Sequence, residues 1–340
     1  MEKNVHNFTL ELEGTAPMIF ETGWKAKQAN GAIWAKQGDT VVLVTAVAGK
    51  APTSYIDFFP LTVNYLEKFY AVGKFPGGYI KRETKPSDRE TLTSRLIDRP
   101  LRPMFPEGYR NETQIVATVV SADNVNMPDI LSFNAASAAL MISDIPFTIP
   151  VGAVRVGRLD GKLVINPPLA QFSDLEMNII IAGTEDAIAM VEAGMANVTE
   201  EEIVDALIYG HDEIKKIVAL QKEMVAKIGK PKMDYVDFSV PEAMVTEGVS
   251  KVGNKFREAF SIPGKLEKYT AIDEVKAEYL EVLKEQYAED FEAREPFYKD
   301  VVKEVEKFVF RDHIISTHIR ADGRATDEIR PIDIEATVLP

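Results

Sequence analysis

Residues 127–144, MPDILSFNAASAALMISD, are apolar on nearly every side of the helix they predict. A helix of that kind cannot lie on a surface; it must be interior, covered all round by other elements. The preceding chain can supply the cover. FTLEL, MIFETG and GAIWAKQGDTVVLVTAVAG read as strands, the two runs of the last joined at Gly38-Asp39 in a hairpin, and FPLTVNYLEKFY continues in the same style. Trp34 and the row Val41, Val42, Leu43 and Val44 predict a sheet face packed on both sides. ETQIVATVVSAD adds a buried strand, VGAVRVGRLDGKLVIN a hairpin turning at Asp160-Gly161, and LEMNIIIAGTEDAIAMVEAG a strand followed by a connection.

Two capping boxes mark helix starts, Ser87 with Glu90 and Thr199 with Glu202. The first helix carries Leu92, Leu96 and Ile97 as its apolar stripe and is expected to stop near Asp98, ahead of Arg99-Pro100 and Arg102-Pro103. The second carries Ile203, Leu207, Ile214, Ile217, Val218, Met224 and Ile228 and ends at Gly229 and Pro231. One α/β domain is therefore expected over residues 1–232. Residues 240–315 contain no convincing strand, show helical periodicity, and between 271 and 310 place twelve acidic against six basic side chains. They predict a small all-helical domain with solvated outer faces. Residues 318–340 return to strand-like alternation and then stop, which reads as a further segment cut off soon after it begins.

The chain has 340 residues, no cysteine and a net charge of −14. Disulfide scaffolds, thiolate zinc sites and cysteine nucleophiles are excluded, and non-specific coating of DNA is disfavoured by the acidity. No apolar run long enough to span a bilayer and no signal-peptide core occurs, so a cytoplasmic protein is expected, without membrane partners. GxxxxGK[ST] is absent, because Gly73-Lys74 is followed by Phe75 and Gly229-Lys230 by Pro231. His6, His211, His313 and His318 have no metal-ligand spacing, no GxSxG elbow occurs, and the paired carboxylates sit on helical faces.

One segment opposes the overall charge. Residues 74–110 hold nine basic side chains against five acidic ones, net +4, around glycines and prolines. A focused positive field on a negative protein points to a polyanion held at one place. Gly77-Gly78 lets backbone approach a phosphate, and Tyr79-Ile80-Lys81-Arg82 sets a ring beside two cations, the pairing that single-stranded nucleic acid uses. From spacing alone, a solvated hairpin tip explains the segment equally well.

LTVNYLEKFYAVGKFPGGYIKRETKPSDRETLTSRLIDRPLRPMFPEG closely resembles the first core of bacterial polynucleotide phosphorylases, and RADGRATDEIRPIDIE resembles the opening of a ribonuclease PH core. That family joins two ribonuclease PH-like cores through an all-helical domain. The resemblance implies an α/β (α+β) fold of mixed sheets and helices, ribosomal protein S5 domain 2-like, over residues 1–232, the helical domain over 240–315, and the truncated start of a second core over 318–340. It implies an enzyme that degrades single-stranded RNA 3′ to 5′ with inorganic phosphate and Mg2+, reversibly, as a homotrimeric ring, with partners in the RNA-degradation machinery. The family's chemistry belongs to the second core, where an Asp-x-Lys pair and an Asp six residues earlier act together. The matching positions here are Asn178, Ile180 and Phe172, which implies a silent first core binding no metal or cofactor itself. The family's channel-neck loop of two aromatics and two arginines matches Tyr79, Ile80, Lys81 and Arg82. Ile80 removes a stacking face and Lys81 replaces a planar fork with a point charge. Arg99 and Arg102 are candidate phosphate contacts on the same side, with salt bridging to Asp98 or Glu107 the alternative. Two further readings stay open, a natural non-catalytic RNA-binding ring subunit and an enzyme with an unrecognised site.

Overall fold

The structure, a computed structural model, describes residues 4–52, 56–79, 81–83 and 85–338. The chain forms two compact units, Met1–Asp237 and Phe238–Pro340.

In the first unit, strands β1 (His6–Leu10), β2 (Met18–Thr22), β3 (Gly31–Gln37), β4 (Thr40–Ala48), β5 (Leu61–Glu67) and β6 (Thr113–Ser121) form a six-stranded sheet in the order β1-β2-β3-β4-β6-β5. All its pairings are antiparallel except that of β5 with β6. Gly38, at φ +58°, makes the tight turn between β3 and β4 that pairs Gln37 with Thr40. Helix α1 (Asp88–Leu101) packs on β5, and α2 (Pro128–Ile142) packs on β3 and β4. Every residue of α2 is buried, as its sequence demands. The sheet itself is packed on one face only. Ile33, Ala35, Val42 and Val44 are fully buried, whereas Trp34, Val41 and Leu43 alternate with them and stay half-buried. The expectation of a face packed on both sides is corrected by that two-residue period.

A second sheet has the order β10-β9-β7-β8, from β7 (Gly152–Leu159), β8 (Lys162–Ile165), β9 (Met177–Gly183) and β10 (Ile188–Met195), antiparallel throughout. The segment expected to be a connection after β9 is therefore itself a strand. Helix α3 (Glu200–Ile228) covers β7 and β9 and buries Ile214, Ile217, Val218 and Met224. Buried polar groups join the layers. Asn134 of α2 exchanges two hydrogen bonds with the Ala153 backbone, at 2.9 and 2.8 Å, and Ser137 donates to Gln221 at 2.7 Å.

Both capping boxes form as read. Two details of α1 differ. Leu92 is exposed, and the buried stripe is Leu96, Ile97 and Leu101. The helix also runs through Pro100 rather than stopping at Asp98. In the last turn a proline removes a single amide, and the Arg102 N–H still reaches the Asp98 carbonyl, so the turn completes.

The second unit consists of α4 (Glu242–Phe260), α5 (Lys265–Gln286) and α6 (Phe291–Thr317) around Phe256, Tyr279, Tyr298 and Val305. A Cβ at Gly248 would lie 2.4 Å from Val305 Cγ2 and 2.7 Å from the Tyr279 hydroxyl, so glycine is what lets these helices approach. Residues 318–338 form one isolated bridge, Ile319 with Ala325, and no strand among the described residues. Ile329, Ile332 and Ile334 are exposed. Their alternation suits a sheet, but the described residues of this unit offer no strand to pair with.

Candidate nucleic-acid interface

The basic segment is held at its base and open at its tip. After β5, a 3-10 turn over Phe69–Val72 ends at Gly73, whose φ of +66° reverses the chain. The Ala122 N–H donates to the Ala71 carbonyl at 3.0 Å and ties this turn to the end of β6. The returning segment is anchored by Glu83, which accepts from Lys68 Nζ at 2.8 Å and the Phe69 N–H at 2.9 Å. Those two bonds, the Lys68 bond foremost, hold the Glu83 carboxyl below the usual carboxylate range. Glu90 closes the base: burial opposes its charge, but donors from Ser87 and the Glu67 N–H outweigh that and keep its carboxyl low as well.

Between the anchors the chain projects into solvent. Tyr79 is fully exposed, and Lys81, in the left-handed region at φ +56°, and Arg82 are exposed beside it. Gly78 at φ +71° supplies the bend that lifts the ring. Ile80 lies outside the described residues. Three aromatics that sequence reading assigned to a continuing strand or passed over, Phe69, Tyr70 and Phe75, are also exposed, Phe75 at 91%. Gly73 was the available signal, because a glycine after FYAV marks a turn and exposes the rings around it.

The two arginines of DRPLRP separate. Arg99 lies 3.8 Å from Glu192 of β10 and remains about half exposed. Arg102 is consumed by the fold: it donates to Asp98 through Nε at 3.1 Å and Nη2 at 2.7 Å, and to the carbonyls of Phe59 and Leu61 at 2.8 and 3.0 Å. That guanidinium fastens α1 to the start of β5, and the Asp98 bridge that the sequence offered as the alternative is formed. Glu107 takes no part.

Phe172, Asn178 and Ile180 converge on one buried side chain. Arg155 of β7 is 7% exposed and pairs in register with Ile180. Its Nη1 donates to Asn178 Oδ1 at 2.7 Å, its Nη2 to Asp129 Oδ2 at 2.6 Å, and its guanidinium stands 5.0 Å from the Phe172 ring. The amide oxygen that could face a metal is already used, and a fixed cation sits beside it. A divalent ion does not fit these residues. Among the described residues no group of three or more His, Asp or Glu side chains could hold a metal, and no helix is long and apolar enough to cross a membrane.

The fold and its two adjoining sheets define a 3′ exoribonuclease-type core: residues 15–146 match the 3′ exoribonuclease family, domain 1, and residues 150–213 match domain 2 of the same family. Residues 246–325 match the polyribonucleotide nucleotidyltransferase RNA binding domain. The polyribonucleotide nucleotidyltransferase of Anoxybacillus flavithermus is 46% identical over 100% of this chain and 48% of its own length, and that of Heliobacterium modesticaldum is 47% identical over 98% and 46%. That of Acidobacterium capsulatum is 48% identical over 98% and 41%. The chain belongs to the polyribonucleotide nucleotidyltransferase family, and it spans about half the length of these curated relatives. Among solved structures, rice (Oryza sativa) Rrp46 aligns with 66% of this chain and 96% of its own at 16% identity and a TM-score of 0.49.

Proposed function

We propose that this chain is the substrate-guiding part of a polyribonucleotide nucleotidyltransferase. In the complete protein, inorganic phosphate attacks the 3′-terminal phosphodiester of single-stranded RNA, the bond to the penultimate 3′ oxygen breaks, and a nucleoside diphosphate leaves. Mg2+ assists elsewhere in that protein, the reaction runs in both directions, and a cytoplasmic homotrimeric ring places the loop around Tyr79, Lys81 and Arg82 at its channel. Residues 1–232 act as the first core and 240–315 as the helical domain that follows it.

The single observation that carries the reading is a contrast within one unit. The cationic, aromatic tip is presented to solvent by a stapled base, while the positions aligned with catalytic groups are occupied by an apolar ring, an aliphatic chain and an amide bound to Arg155. Binding without bond cleavage follows from that division. The test is fluorescence anisotropy of labelled oligo(A) across a salt series. Lys81→Ala with Arg82→Ala is expected to weaken binding and reduce the dependence of log K on log salt by about 1.4, from about 0.7 per phosphate contact on a single strand. An unchanged slope would remove the loop from the RNA path.

A further inference from the structure

Beside the loop lies a cleft of about 380 Å3 that the channel reading leaves unused. It opens between the 3-10 turn after β5, the start of α1, the end of β6 and the segment leading into α2. Backbone hydrogen bonds preform its walls: Ala122 N–H to the Ala71 carbonyl fixes one side, and Leu169 N–H to the Val125 carbonyl, also at 3.0 Å, fixes the other. Arg89 crosses between the helix starts, with Nε 3.3 Å from Glu67 Oε1 and Nη2 3.9 Å from Met127 Sδ.

The lining has a consistent chemistry. Phe69, Val72, Met127 and Leu169 give an apolar slot. Lys74 and Arg89 stand at its rim, where the first turns of α1 and α2 also direct their positive ends. Asn124 is exposed at the mouth, in the left-handed region at φ +59°, and offers an amide with both a donor and an acceptor. An apolar slot, one two-way amide and two cations match a planar base joined to a phosphate, and the volume suits one nucleotide. Glu67 and Glu90 are engaged by Arg89 and by the Ser87 and Glu67 N–H groups respectively, so the rim is not dominated by free carboxylates.

We infer that this cleft binds one nucleotide unit of single-stranded RNA, its base against Phe69, Val72 and Met127, its edge read by Asn124 and its phosphate held by Lys74 and Arg89. The inference rests on the RNA-guiding reading above and extends it, because Lys74 and Phe69 belong to the stem of the same loop. A strand captured at Tyr79, Lys81 and Arg82 then has a pocket for a base turned out of the path, which would hold it in place between steps.

The test separates the cleft from the loop. AMP, adenosine and inorganic phosphate are titrated against the full chain by NMR at low salt, and labelled oligo(A) by anisotropy. AMP is expected to bind at millimolar affinity, more tightly than either adenosine or phosphate. Val72→Trp, which fills the slot, should weaken AMP at least tenfold, and Asn124→Gly, which removes the amide at a φ that glycine accepts, should weaken it several-fold with an unchanged melting temperature. Lys81→Ala with Arg82→Ala should leave AMP within twofold, while oligo(A) loses affinity in the loop variant and in both cleft variants. Phosphate binding as well as AMP, or AMP indifferent to both cleft variants, overturns the inference while a loop-dependent oligo(A) affinity keeps the RNA reading intact. Failure of oligo(A) to bind at all overturns both.

Discussion

Arg155 Nη1 lies 2.7 Å from Asn178 Oδ1, so a buried guanidinium holds the amide that stands where family resemblance places a carboxylate. The same guanidinium is neutralised by Asp129 at 2.6 Å across the layer, and both side chains are about nine-tenths buried. Loss of either partner strands the other charge away from water.

The first expectation concerns that pair. Arg155→Met should lower stability by about 3–5 kcal/mol, because Asp129 is left buried and uncompensated. Adding Asp129→Leu should recover most of the loss, read as urea midpoints for the single and double variants.

Restoring a carboxylate should not restore a metal site. Asn178→Asp places its charge against Arg155, and the guanidinium claims it before a hydrated cation can. Calorimetric titration with Mg2+ should give no binding heat above that of the parent chain; a new site of submillimolar affinity would show that Arg155 yields.

Gly31 is fixed by packing. A Cβ there would stand 2.0 Å from the Ala139 carbonyl oxygen, and backbone on both sides has nowhere to retreat. Gly31→Ala should cost about 2–3 kcal/mol by forcing α2 off the sheet, and a melting temperature within a degree of the parent would contradict the close approach.

Acid sensitivity should centre on Asp123. Its carboxylate accepts from the N–H groups of Asp39, Val125 and Asn126, the Asn126 amide and the Thr40 hydroxyl, tying the β3–β4 turn to the segment before α2. Burial opposes the charge, but these donors outweigh it and hold the carboxyl well below the carboxylate range. A group depressed in the folded state contributes stability that is complete above its unfolded value of about 3.9 and is lost as pH falls below it. Asp123→Asn should therefore lower stability at neutral pH by about 2 kcal/mol. The gap to the parent should narrow as pH drops from about 5 towards 2.

What the sequence disclosed was mostly local. The Ser87 and Thr199 caps, the Gly38 turn and the interior character of residues 127–144 depend on neighbours within a few positions, and each formed as read. Arg155 was not legible, because its partners Asp129 and Asn178 are 26 and 23 residues away and an arginine in AVRVG looks like an outward position of an alternating strand. In IAMVEAG the glycine and glutamate weaken the strand signal, and pairing with β9 decides its conformation. At Arg102 the Asp98 bridge is a four-residue spacing visible in the sequence, whereas its bonds to the carbonyls of Phe59 and Leu61, 43 and 41 residues away, are not. The exposed tip at Tyr79 agrees with the resemblance in position, while Phe75 beside it emerged only in three dimensions.

The central claim is that this chain grips RNA and does not cut it. ADP release from oligo(A), with inorganic phosphate and Mg2+ supplied in excess, tests it most directly. The account predicts no release above the buffer background at chain concentrations where oligo(A) is bound, and a phosphate-dependent release of ADP by the purified chain would contradict it.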